Sequence, residues 1–224
     1  TSTMIPLFNA IGFTPKLVLF DLDGTLLDSL PDLHLASLKM AKAVGIAEPE
    51  LSQIEAWVGN GAAVLVQRIL AGQFIAEDDD PRFEMALQAF LDAYQELDNH
   101  QSNLYPGVAL LVSRLHKAGI KQGVITNKPS RFVAPLLSKF GLLDYFDLVY
   151  SGDTFAEKKP HPMPLIEAAK AMDFNISQCL MVGDSSNDIN AAKACGMPSL
   201  GVRGGYNHGE DIALCEPTWV VDSL

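Results

Sequence analysis

The stretch LVLFDLDGTLLDS, residues 17–29, joins a strand-like segment to two carboxylates. Residues 17–20 form a continuous apolar run, typical of a strand covered on both faces of a parallel sheet. Asp21 and Asp23 follow at once, and two unit charges about 4 Å apart repel by roughly 4 kcal/mol at the effective dielectric of a protein surface. A shared proton or a bound cation would relieve that repulsion. The DxDG pattern alone also fits a simple turn in which Gly24 has a positive φ.

The later part of the chain repeats this pattern of apolar runs followed by helical periods. Further strands are predicted at residues 122–127, 147–151, 179–185, 199–202 and 218–222, and helices at 109–119, 129–141, 161–172 and 186–196. Continuously apolar strands separated by helices indicate a parallel sheet with helices on both faces. The predicted fold class is therefore α/β, with a doubly wound, Rossmann-like parallel sheet.

The region between the first strand and residue 103 has a different pattern. Apolar side chains recur there at helical spacing, with no convincing strand, in residues 29–45, 50–59, 61–72 and 81–100. We therefore predict an α/β core formed by residues 1–28 and 104–224, interrupted by an all-helical cap at residues 29–103. The chain crosses twice between these domains, so hinges for cap movement are expected at residues 26–30 and 103–106.

The composition argues against several classes of function. The chain has 224 residues, 48% hydrophobic and 19% charged, and a formal charge of −11. An acidic globular protein is a poor general binder of nucleic acid or of anionic membranes, because such binding depends on Lys and Arg. Three cysteines without CxxC spacing indicate neither a disulfide framework nor a zinc site, and fit the reducing cytoplasm. Residues 1–13 lack signal-peptide features and are interpreted as an extension, with Met4 as a candidate start.

Polar side chains follow several predicted strands, where ligands bind in open α/β sheets. They are Thr126 and Asn127, Lys158 and Lys159 of EKKPHP, and Asp184, Ser185 and Asp188 of GDSSND. Each group alone has a structural interpretation: a helix entry, a solvated turn, and a helix N-cap at Ser185 or Ser186. Together, at one sheet edge, they indicate a binding site. Oxygen donors without His or Cys favour Mg²⁺, with Asp21, Asp23, Asp184 and Asp188 as candidate ligands.

Four segments resemble, in order, the motifs of the haloacid dehalogenase superfamily of phosphatases: LFDLDGTLLDS (19–29), VITNK (124–128), KKPHP (158–162) and VGDSSND (182–188). The position of the helical region also resembles the cap that follows the first motif in one subclass. The resemblance implies Mg²⁺-dependent phosphomonoester hydrolysis through an aspartyl-phosphate. Dehalogenases of the superfamily lack the second Asp of the first motif, so the presence of Asp23 favours phosphoryl transfer.

The resemblance also implies a role for each matching residue. Asp21 is the expected nucleophile, and Asp23 is the expected general acid and then general base. Thr126 is expected to bind the phosphoryl oxygens with help from Asn127, while Lys159 offsets negative charge. Asp184 is the expected direct Mg²⁺ ligand, and Asp188 supports the metal through water.

Three further stretches look like those of bacterial phosphoglycolate phosphatases: WVGNGAAVLVQRIL (57–70), TNKPSRFV (126–133) and GGYNHGED (204–211). This similarity implies a small anionic phosphorylated metabolite, 2-phosphoglycolate, held between core and cap. Arg68 and Lys128 are candidates for its carboxylate, although a solvated Arg68 is the commoner situation on a helix. Asn60 and Gly61 are candidates for a tight loop at the substrate, with helix capping as an equal interpretation. Cap-core positions are predicted for Met40, Phe83, Met85, Phe90 and Tyr94.

Two other functions remain open from the sequence. A β-phosphoglucomutase-like enzyme, or another phosphotransferase of the superfamily, shares the core motifs but returns the phosphoryl group to a sugar. A phospho-accepting signalling module, like two-component receiver domains, also gathers carboxylates, a Thr and a Lys on a parallel sheet. The predicted cap argues against such a module, since a receiver must expose this face to partners. The sequence does not separate a monomer from a homodimer.

Overall fold

The computed structural model of the protein describes residues 5–76 and 79–224. Its strands are β1 (Leu17–Phe20), β2 (Leu27–Asp28), β3 (Asn103–Leu104), β4 (Lys121–Ile125), β5 (Leu148–Tyr150), β6 (Cys179–Gly183), β7 (Ser199–Val202) and β8 (Trp219–Val221). Its α-helices are α1 (Pro6–Ile11), α2 (Leu30–Val44), α3 (Leu51–Trp57), α4 (Ala62–Ala71), α5 (Phe83–Leu97), α6 (Val108–Lys117), α7 (Ser130–Lys139), α8 (Met163–Ala171) and α9 (Ser186–Cys195). Six strands form one sheet in the order β5-β4-β1-β6-β7-β8, and each neighbouring pair is parallel. The predicted α/β fold is confirmed.

Strand β1 lies inside the sheet and is buried along its whole length. Val18 and Phe20 point into an apolar layer that includes residues of α6 and α7, while Leu17 and Leu19 point into a second layer with α8 and α9. Both faces are therefore covered, which explains why the strand is apolar at every position. Phe20 pairs with Val124 of β4 and with Val182 of β6, so the segments that follow these three strands meet at one edge.

Helices α2–α5 lie between the two short strands β2 and β3, and we call residues 29–103 the cap. Strands β2 and β3 pair antiparallel, with Leu27 opposite Leu104 and Asp28 opposite Asn103. This two-stranded sheet falls where the hinges are predicted, but the sequence did not reveal it, because two-residue strands carry no measurable periodicity. The two crossings of the chain are thus hydrogen-bonded to each other.

The cap has its own apolar cluster, to which α2, α3, α4 and α5 contribute. Met40, Phe90 and Tyr94 are buried in it, and Phe83 packs against it half-buried, as predicted. Met85 is 58% exposed, so its predicted core position is wrong: it lies on the solvent side of α5. Two residues outside the cap, Phe132 and Tyr206, join this cluster, so cap and core pack directly on each other.

The N-terminal segment is part of the core and not merely an extension, as far as it is described. Ile5 and Phe8 are buried in the core layer that holds Phe20, and Phe13 stacks on Trp219 with 5.5 Å between ring centroids. The apolar character of residues 5–13 is explained by this packing. Met4, the candidate start, lies outside the described residues. Among the described helices, none combines the length and apolarity that crossing a membrane requires.

Candidate active site

Three carboxylates meet at the carboxyl edge of the sheet. Asp21, Asp184 and Asp188 each place an oxygen within 4.8 Å of the other two. Glycines allow this approach. A Cβ on Gly24 would lie 2.0 Å from Asp184 Oδ2, and a Cβ on Gly183 would lie 2.2 Å from Asp188 Oδ2. The glycines of DxDG and VGD therefore have a steric role at the site in addition to any role in turns.

The electrostatics of these carboxylates favour a bound cation. Burial, reinforced by Asp188, raises the pKa of Asp184 to about 7. Burial and the Asp188 charge likewise raise the pKa of Asp21 well above its ordinary value, although Lys159 opposes the shift. Thr25 Oγ1 and the Tyr206 N–H donate to Asp184 at 2.8 and 2.6 Å, which fixes its two oxygens in place. An oxygen-only, anionic and preformed set of this kind fits Mg²⁺.

Lys159 is the cation that balances part of this charge. Its Nζ lies 2.6 Å from Asp188 Oδ1 and 3.1 Å from Asp21 Oδ1, and the residue is 2% exposed. Burial alone would lower the pKa of Lys159, but the Asp188 and Asp21 charges outweigh it and raise that pKa above its usual range. Lys159 therefore stays charged beside the expected nucleophile.

Asp188 also shapes the loop that carries Asp184. Its Oδ2 accepts from the N–H groups of Asp184 and Ser185, both at 3.1 Å, and Ser185 Oγ accepts from the Asn187 N–H. These bonds form a capping box at the start of α9. Ser185 is the N-cap of α9, so GDSSND caps a helix, as its structural interpretation proposed. The same segment also contributes Asp184 and Asp188 to the site.

Asp23 lies apart from the three-carboxylate cluster, on the side facing the cap. Its Oδ1 accepts from Ser29 Oγ at 2.5 Å and from Lys128 Nζ at 3.0 Å. This position suits a proton donor to a leaving group, and its predicted role as a fourth metal ligand stays a prediction. Ser29 was not singled out from the sequence, although it ends the decisive stretch.

Thr126 and Asn127 lie beside the carboxylates, as the strand ends predict. The Thr126 hydroxyl accepts from the Lys128 N–H at 3.1 Å and faces the cavity between core and cap. Asn127 Nδ2 donates to the carbonyls of Gly59 and Lys159 at 2.9 and 2.8 Å. Asn127 thus joins a cap loop to the core in addition to any contact with a substrate.

The cap segment that we call the loop 56–60 begins with the last two residues of α3, and it is held largely through its backbone. The Gly59 carbonyl accepts from Asn187 Nδ2 at 3.2 Å as well as from Asn127, and the Asn60 carbonyl accepts from Lys158 Nζ at 2.8 Å. His208 Nδ1 lies 2.8 Å from the Ala56 carbonyl, to which it must donate. Donors from four separate core segments therefore close this loop onto the core.

Asn60, Gly61 and Arg68 occupy different places around that loop. Gly61 is the N-cap of α4, with φ of +91°, and it lines the cavity. Asn60 donates to Asn187 Oδ1 at 3.0 Å. Arg68 is 7% exposed, so the solvated interpretation is wrong: its guanidinium donates to Trp57 O, Phe74 O and Asn60 Oδ1. A direct contact between Arg68 and a substrate stays a prediction.

A cavity of about 50 Å³ lies between the site and the cap. Its polar wall is formed by Asp21, Asp23, Thr126, Asn127, Lys128, Asp184 and Ser185. Its apolar wall is formed by Leu33, Val58, Ala62, Leu65, Phe90 and Phe132. Tyr94 also lines it, which shows that a residue predicted as cap core has its hydroxyl at the site. The volume corresponds to a few water molecules, and so suits a small ligand.

The edge of this parallel sheet brings together two carboxylates from one loop, a threonine, a buried lysine and a second acidic loop. This arrangement defines a hydrolase of the haloacid dehalogenase type. The sequence profile of the haloacid dehalogenase-like hydrolases matches residues 18–202, which is most of the chain. The chain belongs to this family.

Its relatives are consistent in name. The phosphoglycolate phosphatase of Vibrio vulnificus strain CMCP6 is 44% identical over 211 residues, covering 93% of this chain and 92% of the relative. That of Pseudomonas fluorescens strain Pf0-1 is 45% identical over 214 residues, covering 95% of this chain and 78% of the relative. A crystal structure described as a predicted phosphoglycolate phosphatase from Haemophilus somnus has a TM-score of 0.86 at 37% identity, covering 93% of this chain and 94% of the other.

Proposed function

We propose that this hydrolase cleaves the phosphomonoester bond of 2-phosphoglycolate, releasing glycolate and phosphate, with Mg²⁺ as cofactor. One observation carries the proposal: a single small cavity exposes two carboxylates suited to nucleophilic and acid–base roles, Asp21 and Asp23, together with the ammonium of Lys128. The names of the relatives support the choice of substrate. The three free cysteines support a cytoplasmic location.

Asp21 is the proposed nucleophile. The Leu22 N–H donates to its Oδ1 at 2.7 Å and Lys159 pairs with it at 3.1 Å, so the carboxylate is held in one orientation. An Asp21 oxygen forms a bond to phosphorus while the bond from phosphorus to the glycolate oxygen breaks, which gives an aspartyl-phosphate. Lys159 and the Thr126 hydroxyl stabilise negative charge on the phosphoryl oxygens during this step.

Asp23 is the proposed acid and base. In the first step its proton passes to the departing glycolate oxygen. In the second step the Asp23 carboxylate takes a proton from a water molecule whose oxygen forms a bond to phosphorus. The bond between phosphorus and the Asp21 oxygen breaks, which restores the Asp21 carboxylate and releases phosphate. Ser29 and Lys128 fix the orientation of Asp23 from two sides. The cap excludes bulk water from both steps, and we propose that residues 29–103 move as a unit to admit the substrate.

Asp21 and Asp184 are the proposed direct ligands of Mg²⁺, with Asp188 behind them. The bound ion supplies positive charge that lowers the repulsion between the anionic phosphate and Asp21. The raised pKa values of Asp21 and Asp184 support this assignment, because a divalent cation offsets the cost of burying both as carboxylates.

The test is a panel of phosphoesters assayed for released phosphate with Mg²⁺ and with EDTA. Preference for 2-phosphoglycolate and loss of activity in EDTA are the expected results, with Asp21→Asn as the inactive control. Comparable rates on sugar phosphates and nucleotides would contradict the narrow substrate. Formation of an isomer from a sugar phosphate would favour a mutase, and a phosphorylated chain that persists for many minutes would favour a signalling module.

A further inference from the structure

More negatively charged than positively charged side chains line the cavity between core and cap. Three carboxylates line it, from Asp21, Asp23 and Asp184, whereas Lys128 is the sole cation among the described lining residues. Arg68, Lys158 and Lys159 line a separate cavity. A substrate with an anionic group in addition to its phosphate therefore has one side-chain cation to meet, which is Lys128.

Lys128 has its hydrogen-bonding capacity filled. Its Nζ lies 3.0 and 3.2 Å from the two Asp23 oxygens and 2.6 Å from Tyr94 Oη. An ammonium group has three N–H donors and no acceptor, so these three oxygens account for all of them. An incoming carboxylate must take the place of one Asp23 oxygen, which leaves the other Asp23 contact and the Tyr94 contact in place.

Tyr94 is oriented to hold this ammonium. Since Lys128 can only donate, the tyrosine oxygen accepts from it, and the tyrosine hydroxyl proton goes to Asn99 Oδ1 at 2.9 Å. Rings on both sides fix the tyrosine, with centroid distances of 6.1 Å to Phe90 and 5.0 Å to Phe132. Of the described cap residues that line the cavity, Tyr94 alone contributes a polar side-chain atom.

We propose that Tyr94 is a specificity-determining residue: it holds the Lys128 ammonium toward the cap, where a phosphoester that carries a carboxylate can exchange with one Asp23 oxygen. The proposal rests on the phosphatase function proposed above and names the feature of the substrate that is read. Without the tyrosine hydroxyl, the ammonium is free to pair more closely with Asp23, and the substrate carboxylate competes less well. A phosphoester without a carboxylate makes no use of the arrangement.

The experiment compares two substrates of similar size, 2-phosphoglycolate and ethyl phosphate, on the full-length protein with Mg²⁺. Tyr94→Phe removes the hydroxyl and keeps the ring, and Tyr145→Phe is the matched control, since Tyr145 packs on His116 and does not line the cavity. We expect Tyr94→Phe to lower kcat/KM for 2-phosphoglycolate about tenfold, mostly through KM, as suits the loss of a hydrogen bond to a charged group. Closer pairing of Lys128 with Asp23 acts on the acid–base steps of both substrates, so kcat/KM for ethyl phosphate should fall less than kcat/KM for 2-phosphoglycolate, and Tyr94→Phe should lower the ratio of the two values. Tyr145→Phe should change neither value.

The outcomes separate this proposal from the proposed function. An equal fall on both substrates, or no fall on either, overturns the role of Tyr94 while the phosphatase function stands. If the wild-type protein hydrolyses ethyl phosphate at the same rate as 2-phosphoglycolate, the proposed substrate is overturned and this inference with it.

If Tyr94→Phe does not fold, Asn99→Ala replaces it, because Asn99→Ala removes the acceptor that orients the Tyr94 hydroxyl. Asn99→Ala should shift kcat/KM in the same substrate-dependent way, and an unchanged ratio between the substrates overturns the proposal.

Discussion

The pKa of Asp184 makes the stability of the metal-free protein depend on pH. Burial, reinforced by Asp188, raises this pKa from 3.8 to about 7 in the folded state. Below pH 3.8 both states hold the proton; between 3.8 and 7 the unfolded chain releases it while the folded chain keeps it. The free energy of unfolding therefore decreases as the pH rises through this window. At about 1.4 kcal/mol per pKa unit, the loss above pH 7 reaches at most about 4 kcal/mol.

Asp184→Asn removes this titrating group, together with the part of the raised Asp21 pKa that the Asp184 charge causes. Asparagine fits the site, because its carbonyl can accept from the Tyr206 N–H and its amide can donate to the Thr25 hydroxyl, which can turn to accept. In EDTA, we expect the variant to match the wild type near pH 4 and to exceed it by a few kcal/mol at pH 8, approaching the limit of about 4 kcal/mol.

The assay is urea unfolding followed by circular dichroism at several pH values from 4 to 8, with the variant and wild type side by side. Adding Mg²⁺ at pH 8 should stabilise the wild type and leave the variant nearly unchanged, since binding to the folded state alone raises its stability. A constant difference between the two proteins across this pH range would refute the assigned cause of the stability change.

Three other variants test the cluster from different sides. Asp21→Asn should lower the rate of phosphate release by at least about 1,000-fold while circular dichroism shows an unchanged fold, and a loss of less than about tenfold would contradict the nucleophile assignment. Lys159→Met removes one member of a buried ion pair and should lower the free energy of unfolding by about 3–5 kcal/mol, measured in urea; a loss below about 1 kcal/mol would mean that the Asp21 and Asp188 charges are balanced in another way. Gly24 has a φ of +87°, and Gly24→Ala places a methyl group against the Asp184 carboxylate. The affinity of the variant for Mg²⁺, measured by titration calorimetry, should therefore fall steeply. An affinity equal to that of the wild type would show that the loop can relax.

Much of the core could be predicted because its signals are local. A continuously apolar strand covered on both faces has a recognisable composition, and parallel strands bring the residues that follow them to one edge. Asp21, Thr126 and Asp184 therefore meet where the sequence predicted. Lys159 was predicted from a loop motif, and the structure places its ammonium between Asp21 and Asp188.

The cap was harder to predict, because the direction of a helical side chain depends on packing that one sequence does not reveal. Tyr94 has the spacing of a core residue and its ring is indeed buried, but its hydroxyl reaches Lys128 across the boundary between cap and core. Arg68 has the charge of a ligand-binding residue, yet its guanidinium packs on the Phe74 ring and bonds to nearby carbonyls. Residues 5–13 looked like an appendage because their partner, Trp219, lies near the other end of the chain.

The backbone docking of the loop 56–60 has an evolutionary consequence. Three of its carbonyls, those of Ala56, Gly59 and Asn60, accept hydrogen bonds from core side chains. Carbonyl acceptors are present whichever amino acid stands at a position, so substitutions in this loop that keep its course preserve the docking bonds. Evolution can therefore change the side chains of this loop while the hydrogen bonds that join it to the core remain.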